Sequence, residues 1–532
     1  MYGQQVRLRP TQRASHLTVA GVTCLGIGIF AVHPPMVAYG AAMLCGVTLA
    51  RSLTRASVAR ARAAGFEMLW SSREASVKAT RGQPLVLTAE LRNRDNLPTR
   101  FRKLLVDHAP GLQVDCQPSS GEVPPHGSLK IKLTIVPLRV GPHGIFSLTM
   151  QTVRAPGLFS VPLSFSNPYV IEVLPKTTKA RLSLPRAGRS ALLSAASNQG
   201  RKRGNGSDFR ELREHRPGDP YKHIAWKASA RRGRLLVIEK EQTETDIVWL
   251  LVEMSVDSAF GHPGHAAMDE ALDAAASLCH AHLAQGDQVG LALIGNRVLY
   301  KLLPGRGTKQ SARIVSAICQ MAHTLDADRS DWDEADVAQR VLEHARTIDQ
   351  AVGGEEPFDY GRLAEHAARI MGRAPKSAMP PWAPRPSDRI LRQYLLSFGI
   401  HSPARSTSDR EATQRRIAEF LDELYAKRPR PSLVYLVAET PELSGNARLL
   451  RSLRRFVGRR TELRIVATKE TLPQDQQQKG KGRILKEALE LQRKLAAEHS
   501  SLRLARMGVG QLSVGDKRSA LAERSTSSAP ER

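Results

Sequence analysis

The stretch from Arg201 to Glu241 holds the densest group of residues that could recognise another molecule. It contains 12 Lys or Arg and 6 Asp or Glu residues, so its charge is 12 − 6 = +6. Guanidinium groups bind carboxylates and phosphates, and an aromatic side chain such as Trp226 can anchor a partner. The alternative is an internal lock, in which ion pairs hold loops in place beside a buried Trp226. The sequence leaves both interpretations of this basic segment open.

Composition bounds the class of protein. The 532 residues suffice for about three or four domains. With 41% hydrophobic and 24% charged residues, the chain is typical of a folded protein. Its net charge of +27 favours anionic partners such as nucleic acid, acidic lipid or acidic protein. Five cysteines without a C-x-x-C pair exclude a disulfide scaffold and suit a reducing compartment.

No set of residues typical of catalysis occurs in the sequence. Gly305–Lys309 lacks the G-x-x-x-x-G-K-[ST] spacing of a phosphate-binding loop. Ser255 lies outside any G-x-S-x-G motif, and the sequence has no H-E-x-x-H motif. Because no nucleophile, base and orienting group can be assigned together, we expect a protein without enzymatic activity.

The elements that must position the basic segment begin with residues 1–64, which predict a transmembrane helical hairpin. Two apolar runs, about 17–32 and 36–50, lie on either side of a helix-breaking pair of prolines. Each run is close to the length that spans a bilayer. Arginines flank both ends of the pair, so the positive-inside rule places both flanks in the cytoplasm, against anionic lipid. A signal peptide or a buried helical hairpin would also explain the runs.

Residues 65–176 predict a β-sandwich of immunoglobulin-like type. Apolar and polar residues alternate along Ser128–Val136 and, less regularly, along Leu85–Leu91. Ile145–Val153 is typical of a third strand. Clusters of Pro and Gly separate the strands, as in small antiparallel sandwiches. We expect this domain to be a spacer or docking module.

Residues 246–470 predict a doubly wound α/β domain, because strands and helices alternate along them. An insertion at about 324–410, with two short helices and a Pro-rich loop, interrupts the alternation. Residues 471–532 follow, with an amphipathic helix and a disordered tail. Strands are expected at Ile247–Val252, Gln288–Ile294, Arg297–Leu303, Leu433–Val437 and Glu462–Ala467, and helices at His265–Gln285, Thr308–Met321, Val337–Thr347, Asp359–Met371, Asp409–Lys427, Glu442–Arg459 and Ile484–His499.

The pattern G-D-x-x-K-x-I-x-W-K-x-S-A-R at residues 218–231 resembles the signature of the domain of unknown function 58 family. The following strand, Leu235–Glu239, also fits that family, and the loop at 154–159 does so without its Asp. Three residues depart from the family pattern, since Lys222 replaces Arg, His215 replaces Tyr, and Ala225 stands where Asp or Asn is common. Residues 177–245 thus form a signature block, whose signature or binding residues are Arg210, Arg213, Arg216, Gly218, Asp219, Lys222, Ile224, Trp226, Lys227, Ser229, Arg231 and Glu239.

The resemblance implies that the α/β domain is similar to a von Willebrand factor A domain. Such domains often hold a metal ion on a D-x-S-x-S motif, whose equivalents here are Glu253, Ser255 and Asp257. Glu439 takes the place of an Asp after a later strand. The extra methylene of each Glu moves its oxygens by more than the octahedral geometry of Mg²⁺ tolerates. The site is therefore degenerate, and either a Mg²⁺ site with altered ligands or a metal-free remnant is expected.

Members of this family are commonly associated with MoxR-type AAA+ ATPases. The resemblance implies a non-enzymatic adaptor or assembly factor in the bacterial inner membrane, with two spans and most of the chain in the cytoplasm. A client protein would bind at the carboxyl edge of the α/β sheet, with the basic segment beside it. The alternative is a membrane-tethered nucleic-acid-binding protein that uses residues 201–234. An aromatic share of 5% leaves few rings for base stacking and disfavours that alternative.

Overall fold

The chain forms two compact units. The first consists of residues 1–176 and 318–406, and the second of residues 177–317 and 407–532. The computed structural model describes residues 8–72, 76–153, 157–177, 203–204, 208–216, 221, 224–241, 246–321, 325–349, 359–372, 380–439, 446–456, 461–468 and 481–513.

The secondary structure of the described residues comprises helices and strands, which we number in chain order. The helices are α1 Gln12–Phe30, α2 Pro34–Ala64, α3 Trp226–Arg232, α4 Val256–Ala259, α5 Ala267–Ala284, α6 Gly307–Met321, α7 Glu334–Ile348, α8 Tyr360–Met371, α9 Pro386–Ser397, α10 Arg410–Ala426, α11 Ala447–Phe456 and α12 Lys481–Arg506. The strands are β1 Arg9–Pro10, β2 Phe66–Trp70, β3 Ser76–Thr80, β4 Leu85–Asn93, β5 Thr99–His108, β6 Leu112–Gln117, β7 Gly121–Val123, β8 Ser128–Pro137, β9 Gly141–Val153, β10 Phe159–Leu174, β11 Arg203–Gly204, β12 Asp208–Glu214, β13 Leu236–Glu241, β14 Ile247–Glu253, β15 Gln288–Ile294, β16 Val298–Gly305, β17 Leu433–Glu439, β18 Glu462–Thr468 and β19 Gly510–Ser513.

Two apolar helices open the first unit, and both are long and apolar enough to cross a membrane. Their packing is close, because a Cβ atom at Gly40 would lie 2.6 Å from the backbone nitrogen of Leu25. Helix α2 continues well past the predicted end of the second apolar run at residue 50. No Gly or Pro interrupts the chain there until Gly65, whose φ of 93° ends the helix.

Two sheets of the first unit share one hydrophobic core. One sheet has the strand order β1-β10-β9-β5-β7 with β3 paired to β10, and the other has the order β2-β4-β8-β6. Leu91 and Ile131 of the second sheet belong to the same buried cluster as Leu148 and Met150 of the first. The three strands predicted from alternation are confirmed, because each places its apolar residues on this shared core.

Residues 318–406 belong to the first unit, and they include most of the stretch, about 324–410, that the sequence predicted as an insertion in the α/β domain. Helices α7, α8 and α9 bury their own apolar cluster. The Gly144 amide of β9 donates a hydrogen bond to the Gly399 carbonyl (3.2 Å). His401 and His143 join their rings by a 2.7 Å hydrogen bond. Helix α9 was not predicted, since the Pro-rich stretch that ends at Pro386 favoured a loop; Pro386 is instead tolerated in the first turn of the helix.

The second unit contains a six-stranded sheet, the central sheet, with the order β16-β15-β14-β17-β18-β19. All neighbouring pairs are parallel except β15 and β16. The predicted alternation of strands and helices is confirmed, and β19 is an additional strand that the sequence analysis missed. Strand order reverses at β14, which lies between β15 and β17. Ligands of such sheets bind where the order reverses, at the carboxyl ends of the strands.

A separate three-stranded sheet, of order β11-β13-β12, carries the basic segment together with α3. Strands β12 and β13 pair antiparallel from Asp208↔Glu241 to Glu214↔Leu236.

Candidate functional site

Two glutamates meet at the carboxyl edge of the central sheet. Glu253 ends β14 and Glu439 ends β17, and these neighbouring strands run parallel with Val252 opposite Val437. The side chain of Glu253 is buried, with 6% of the residue exposed. Its carboxyl group accepts hydrogen bonds from the Ser255 side chain and the Glu439 backbone. Two carboxyl groups therefore lie close together, and the negative charge of one opposes ionisation of the other.

The surroundings of Glu253 raise the pKa of its carboxyl group. Burial, followed by the charge of Glu439, raises the pKa of Glu253 to about 7. The hydrogen bond from Ser255 and the positive charge of Arg410 oppose this rise. Ser255 also caps the short helix α4, since its hydroxyl accepts the Ser258 amide (3.2 Å). A carboxyl group with a pKa near neutrality exchanges its proton in the physiological range.

A guanidinium group pairs with one of the predicted metal ligands, Glu439. Arg410, the first residue of α10, donates a short hydrogen bond to Glu439 Oε2. Both side chains are partly buried. The cation that pairs with Glu439 is therefore a side chain of the protein itself.

Asp257 points towards the start of α10. Its Oδ2 accepts hydrogen bonds from the Ser408 hydroxyl (2.8 Å) and the Asp409 amide (3.2 Å). Asp409 reciprocates, because its Oδ1 accepts the Val256 amide at 2.7 Å. These paired contacts join the segment after β14 to the start of α10 and engage one oxygen of Asp257, a predicted metal ligand.

The residues present do not fit a divalent metal ion. Among the residues that the structure describes, no group of three or more His, Cys, Asp or Glu side chains could hold one. The pKa of Glu253 is raised to about 7, Glu439 pairs with Arg410, and Asp257 accepts a hydrogen bond from Ser408. The predicted set of Glu253, Ser255, Asp257 and Glu439 is thus brought to one edge, but as an ion-paired cluster rather than a Mg²⁺ site.

Two signature residues of the basic segment hold the local fold. The buried Ser229 hydroxyl donates to the Ala225 carbonyl (2.9 Å) and accepts the Leu236 amide (2.8 Å), which fastens α3 to β13. Ile224 is buried and forms a β-bridge with Val237. These contacts, and the ion pair between Arg234 and Glu214, agree with the internal-lock interpretation for this part of the segment.

Trp226 contradicts the internal-lock interpretation, because 63% of the residue is exposed. Lys227 and Arg231, on the same short helix, are exposed as well. Tyr221 is 76% exposed, and its ring stacks on that of His215 with centroids 6.3 Å apart. The interpretation that Trp226 is buried was therefore wrong. The buried residue of α3 is Ser229.

The remaining signature residues are placed as follows. Arg213 donates to the Glu214 carbonyl (2.8 Å), and Arg216 is exposed. Arg210 lies in β12 and Glu239 in β13. Gly218, Asp219 and Lys222 lie outside the described residues.

Sequence reasoning missed Arg410, Ser408 and Asp409 as members of the cluster. The available signal was local: Ser-Asp before an apolar-periodic run, which predicts a helix start. That signal located α10 correctly but carried no information about its contacts with Asp257 and Glu439.

Comparison with known proteins shows that part of the chain is similar to one family. Residues 211–347 match the sequence profile of the family described as "Protein of unknown function DUF58". The match includes Trp226, Glu253 and Asp257 but ends before Arg410 and Glu439. An uncharacterized protein of Bacillus subtilis (strain 168), YeaD, is 33% identical over 84 residues, which are 16% of this chain and 19% of that relative. The chain thus spans about a fifth of the length of that relative.

Solved structures resemble the chain only weakly. A PapD-like domain of human CEP192 is 18% identical, covers 21% of this chain and 86% of its own, and has a TM-score of 0.17. The alpha-2-macroglobulin of E. coli is 12% identical, covers 73% of this chain and 21% of its own, and has a TM-score of 0.17. Scores this low carry no information about the fold.

Proposed function

We propose that this chain is a membrane-anchored, non-enzymatic adaptor that binds a protein partner and works with a MoxR-type AAA+ ATPase. The observation that carries the proposal is the exposure of Trp226 within the stretch that matches the family. A large aromatic side chain in water forgoes the stabilisation that burial supplies, and tryptophan is among the residues that contribute most to protein interfaces. Because α3 is fastened to β13 by Ser229, the indole is presented on a rigid support.

Neighbouring charges support a protein partner of acidic character. Lys227, Arg231, Arg232 and Arg234 are exposed on and beside α3. Of these, Arg234 forms an ion pair with Glu214. An aromatic anchor surrounded by arginines is the composition typical of binding hot spots.

The two N-terminal helices support anchoring in the inner membrane. Val19, Ile29 and Phe30 are among the large apolar side chains that α1 leaves exposed. Within α2, arginines appear only after residue 50, so the positive-inside rule keeps the following chain in the cytoplasm. A hairpin of this kind fastens the protein to the bilayer and leaves the chain that follows it in water.

The finer fold assignments belong to the same proposal. We infer that the second unit is similar to a von Willebrand factor A domain, which the parallel sheet with its one antiparallel edge strand supports. We infer likewise that the two sheets around the shared core are an immunoglobulin-like sandwich. Both inferences concern scaffolds for partner binding, with the acidic edge and Trp226 on the second unit.

Site-specific photo-crosslinking tests the proposed function. A photoreactive amino acid replaces Trp226 in the full-length protein, expressed in its native membrane, and crosslinked partners are identified by mass spectrometry with and without ATP. Leu491 of α12, which is 59% exposed, is the matched control position. We expect a MoxR-type ATPase or its client at Trp226 and not at Leu491. Equal recovery at both positions, or no protein partner at Trp226, would contradict the proposal.

A further inference from the structure

An open pocket of about 240 Å³ lies at the carboxyl edge of the central sheet, beside the acidic cluster. It is formed by the turn after β15 and by the first turns of α10. Its lining residues are Asn296, Arg297, Ala412, Arg415, Arg416 and Glu419. Three of these six are arginines and one is a glutamate, so the pocket is strongly positive.

The single carboxylate of the pocket is shared between two arginines. Arg416 contacts Glu419 Oε2 at 2.7 Å, and Arg448 of α11 contacts Glu419 Oε1 at 3.1 Å. The hydrogen bond from Arg416, and the charges of Arg448 and Arg415, lower the pKa of Glu419. Both oxygens of Glu419 are therefore engaged, and an excess of positive charge remains around it.

Helix α11 extends this excess beyond the pocket. Its exposed face carries four arginines and no acidic residue: Arg448, Arg451, Arg454 and Arg455. Arg455 pairs with Asp422 of α10 at 2.8 Å. A guanidinium group does not lose its proton at any physiological pH, and the ion pairs with Glu419 and Asp422 leave an excess of positive charge on this surface.

We propose that this pocket, here called the arginine pocket, binds a carboxylate side chain from an acidic segment of a protein. The contacts of Glu419 show how a bound carboxylate would be coordinated, because each of its oxygens is contacted by a guanidinium group. Guanidinium groups bind carboxylates through charge-assisted hydrogen bonds. The volume is below the roughly 300–1,000 Å³ of sites for small organic ligands but is sufficient for an acidic side chain.

Nucleic acid fits the arginine pocket less well than an acidic peptide. None of the residues that line the pocket is aromatic, so no ring is available for base stacking. Glu419 and Asp422 lie among the arginines and would repel a continuous phosphate backbone, whereas separate carboxylates can alternate with them.

The arginine pocket is built from different elements than the Trp226 surface, and it gives the proposed acidic partner a second contact through a carboxylate side chain. It rests on the proposed function only in that the partner is a protein. The two can therefore fail separately: Trp226→Ala should abolish capture of the ATPase or client while leaving binding of a short acidic peptide unchanged.

Fluorescence anisotropy with a labelled Glu-Gly repeat peptide tests the inference on the full-length protein in non-ionic detergent. A Gln-Gly peptide of equal length is the neutral control, and a single-stranded oligonucleotide is the phosphate control. The variants are Arg415→Gln alone and Arg415→Gln with Arg416→Gln. The matched control is Arg503→Gln, which removes an exposed arginine from α12 of the same unit.

We expect the Glu peptide to bind and the Gln peptide not to bind. The double variant should weaken binding by about tenfold or more, because two charge-assisted hydrogen-bonding groups are removed. Arg503→Gln should change it by no more than about twofold, as for an isolated surface charge. The single variant, which leaves the Arg416–Glu419 pair intact, should give an intermediate loss of peptide binding even if the double variant melts at a lower temperature.

Three outcomes would overturn the inference. They are equal binding of the two peptides, equal losses of binding in Arg503→Gln and the double variant, and oligonucleotide binding with the same dependence on Arg415.

Discussion

Arg410 is paired with Glu439 at the carboxyl edge of the central sheet, and its charge acts on the buried carboxyl group of Glu253. A guanidinium group supplied by α10 thus stabilises an acidic edge that would otherwise carry two like charges. The consequence is a site with its own permanent cation and one carboxyl group that titrates near neutrality.

Glu253→Gln should make stability less dependent on pH. The pKa of Glu253 is raised from 4.5 to about 7 in the folded protein, so the folded state holds a proton that the unfolded state has released. Stability therefore falls as pH rises from about 4.5 to about 7, by about 3 kcal/mol in total. Glutamine keeps the hydrogen bonds without the charge, and the melting temperature of the variant should exceed that of the wild type at pH 8 but not at pH 5. Parallel pH profiles of the two proteins would show that Glu253 does not titrate in this way.

Arg410→Gln should extend this pH dependence to higher pH. The charge of Arg410 lowers the pKa of Glu253, so its removal raises that pKa further above about 7. The wild-type melting temperature should level off above neutral pH, whereas that of the variant should continue to decrease. Arg416→Gln, on the same helix, is the control and should follow the wild-type profile. The idea fails if the Arg410 and Arg416 variants respond alike.

Millimolar Mg²⁺ should leave the melting temperature of the wild type unchanged. A ligand that binds only the folded state stabilises it by about 2.7 kcal/mol at one hundred times its Kd. With Arg410 paired to Glu439 and Asp257 engaged by Ser408, such binding is not expected. Differential scanning fluorimetry with Mg²⁺ and, as a control for ionic strength, NaCl would detect it. An increase in melting temperature with Mg²⁺ but not with NaCl would support the metal site predicted from the sequence.

Trp226→Ala should lower the free energy of unfolding by about 0.5 kcal/mol or less, because the indole is mostly in water. Trp249→Ala is the matched comparison, since Trp249 is 2% exposed in β14, and it should cost about 3–5 kcal/mol. Chemical denaturation of both variants measures the difference. A large loss in Trp226→Ala would mean that the side chain packs rather than binds.

His344 should make the first unit sensitive to acid. Burial lowers the pKa of His344 from 6.5 to about 4. Between these pH values the unfolded state binds a proton that the folded state does not bind. Stability is then lost as pH falls from about 6.5 to about 4, by about 3 kcal/mol. His344→Phe leaves the Tyr394 hydroxyl without its partner and lowers stability overall, but it should flatten the profile in this window. An unchanged slope in the variant would contradict the assignment.

Local pattern in the sequence determined most of the elements. Period-two alternation located β4 and β8, and the continuous apolar run located β14, because burial on one face or on both leaves a direct mark on residue type. The helix starts and the two apolar spans followed from the same kind of local rule. The signature at residues 218–231 marked the stretch that matches the family.

Only the tertiary structure decided how these elements use their polar and aromatic residues. Trp226 and Trp249 are identical in type, yet one is exposed and the other buried, since burial depends on what packs against each side chain. The Arg410–Glu439 pair and the placement of residues 318–406 in the first unit depend likewise on contacts between residues far apart in the chain. Charge and spacing along the sequence specify which residues can pair, but the folded backbone selects the partner.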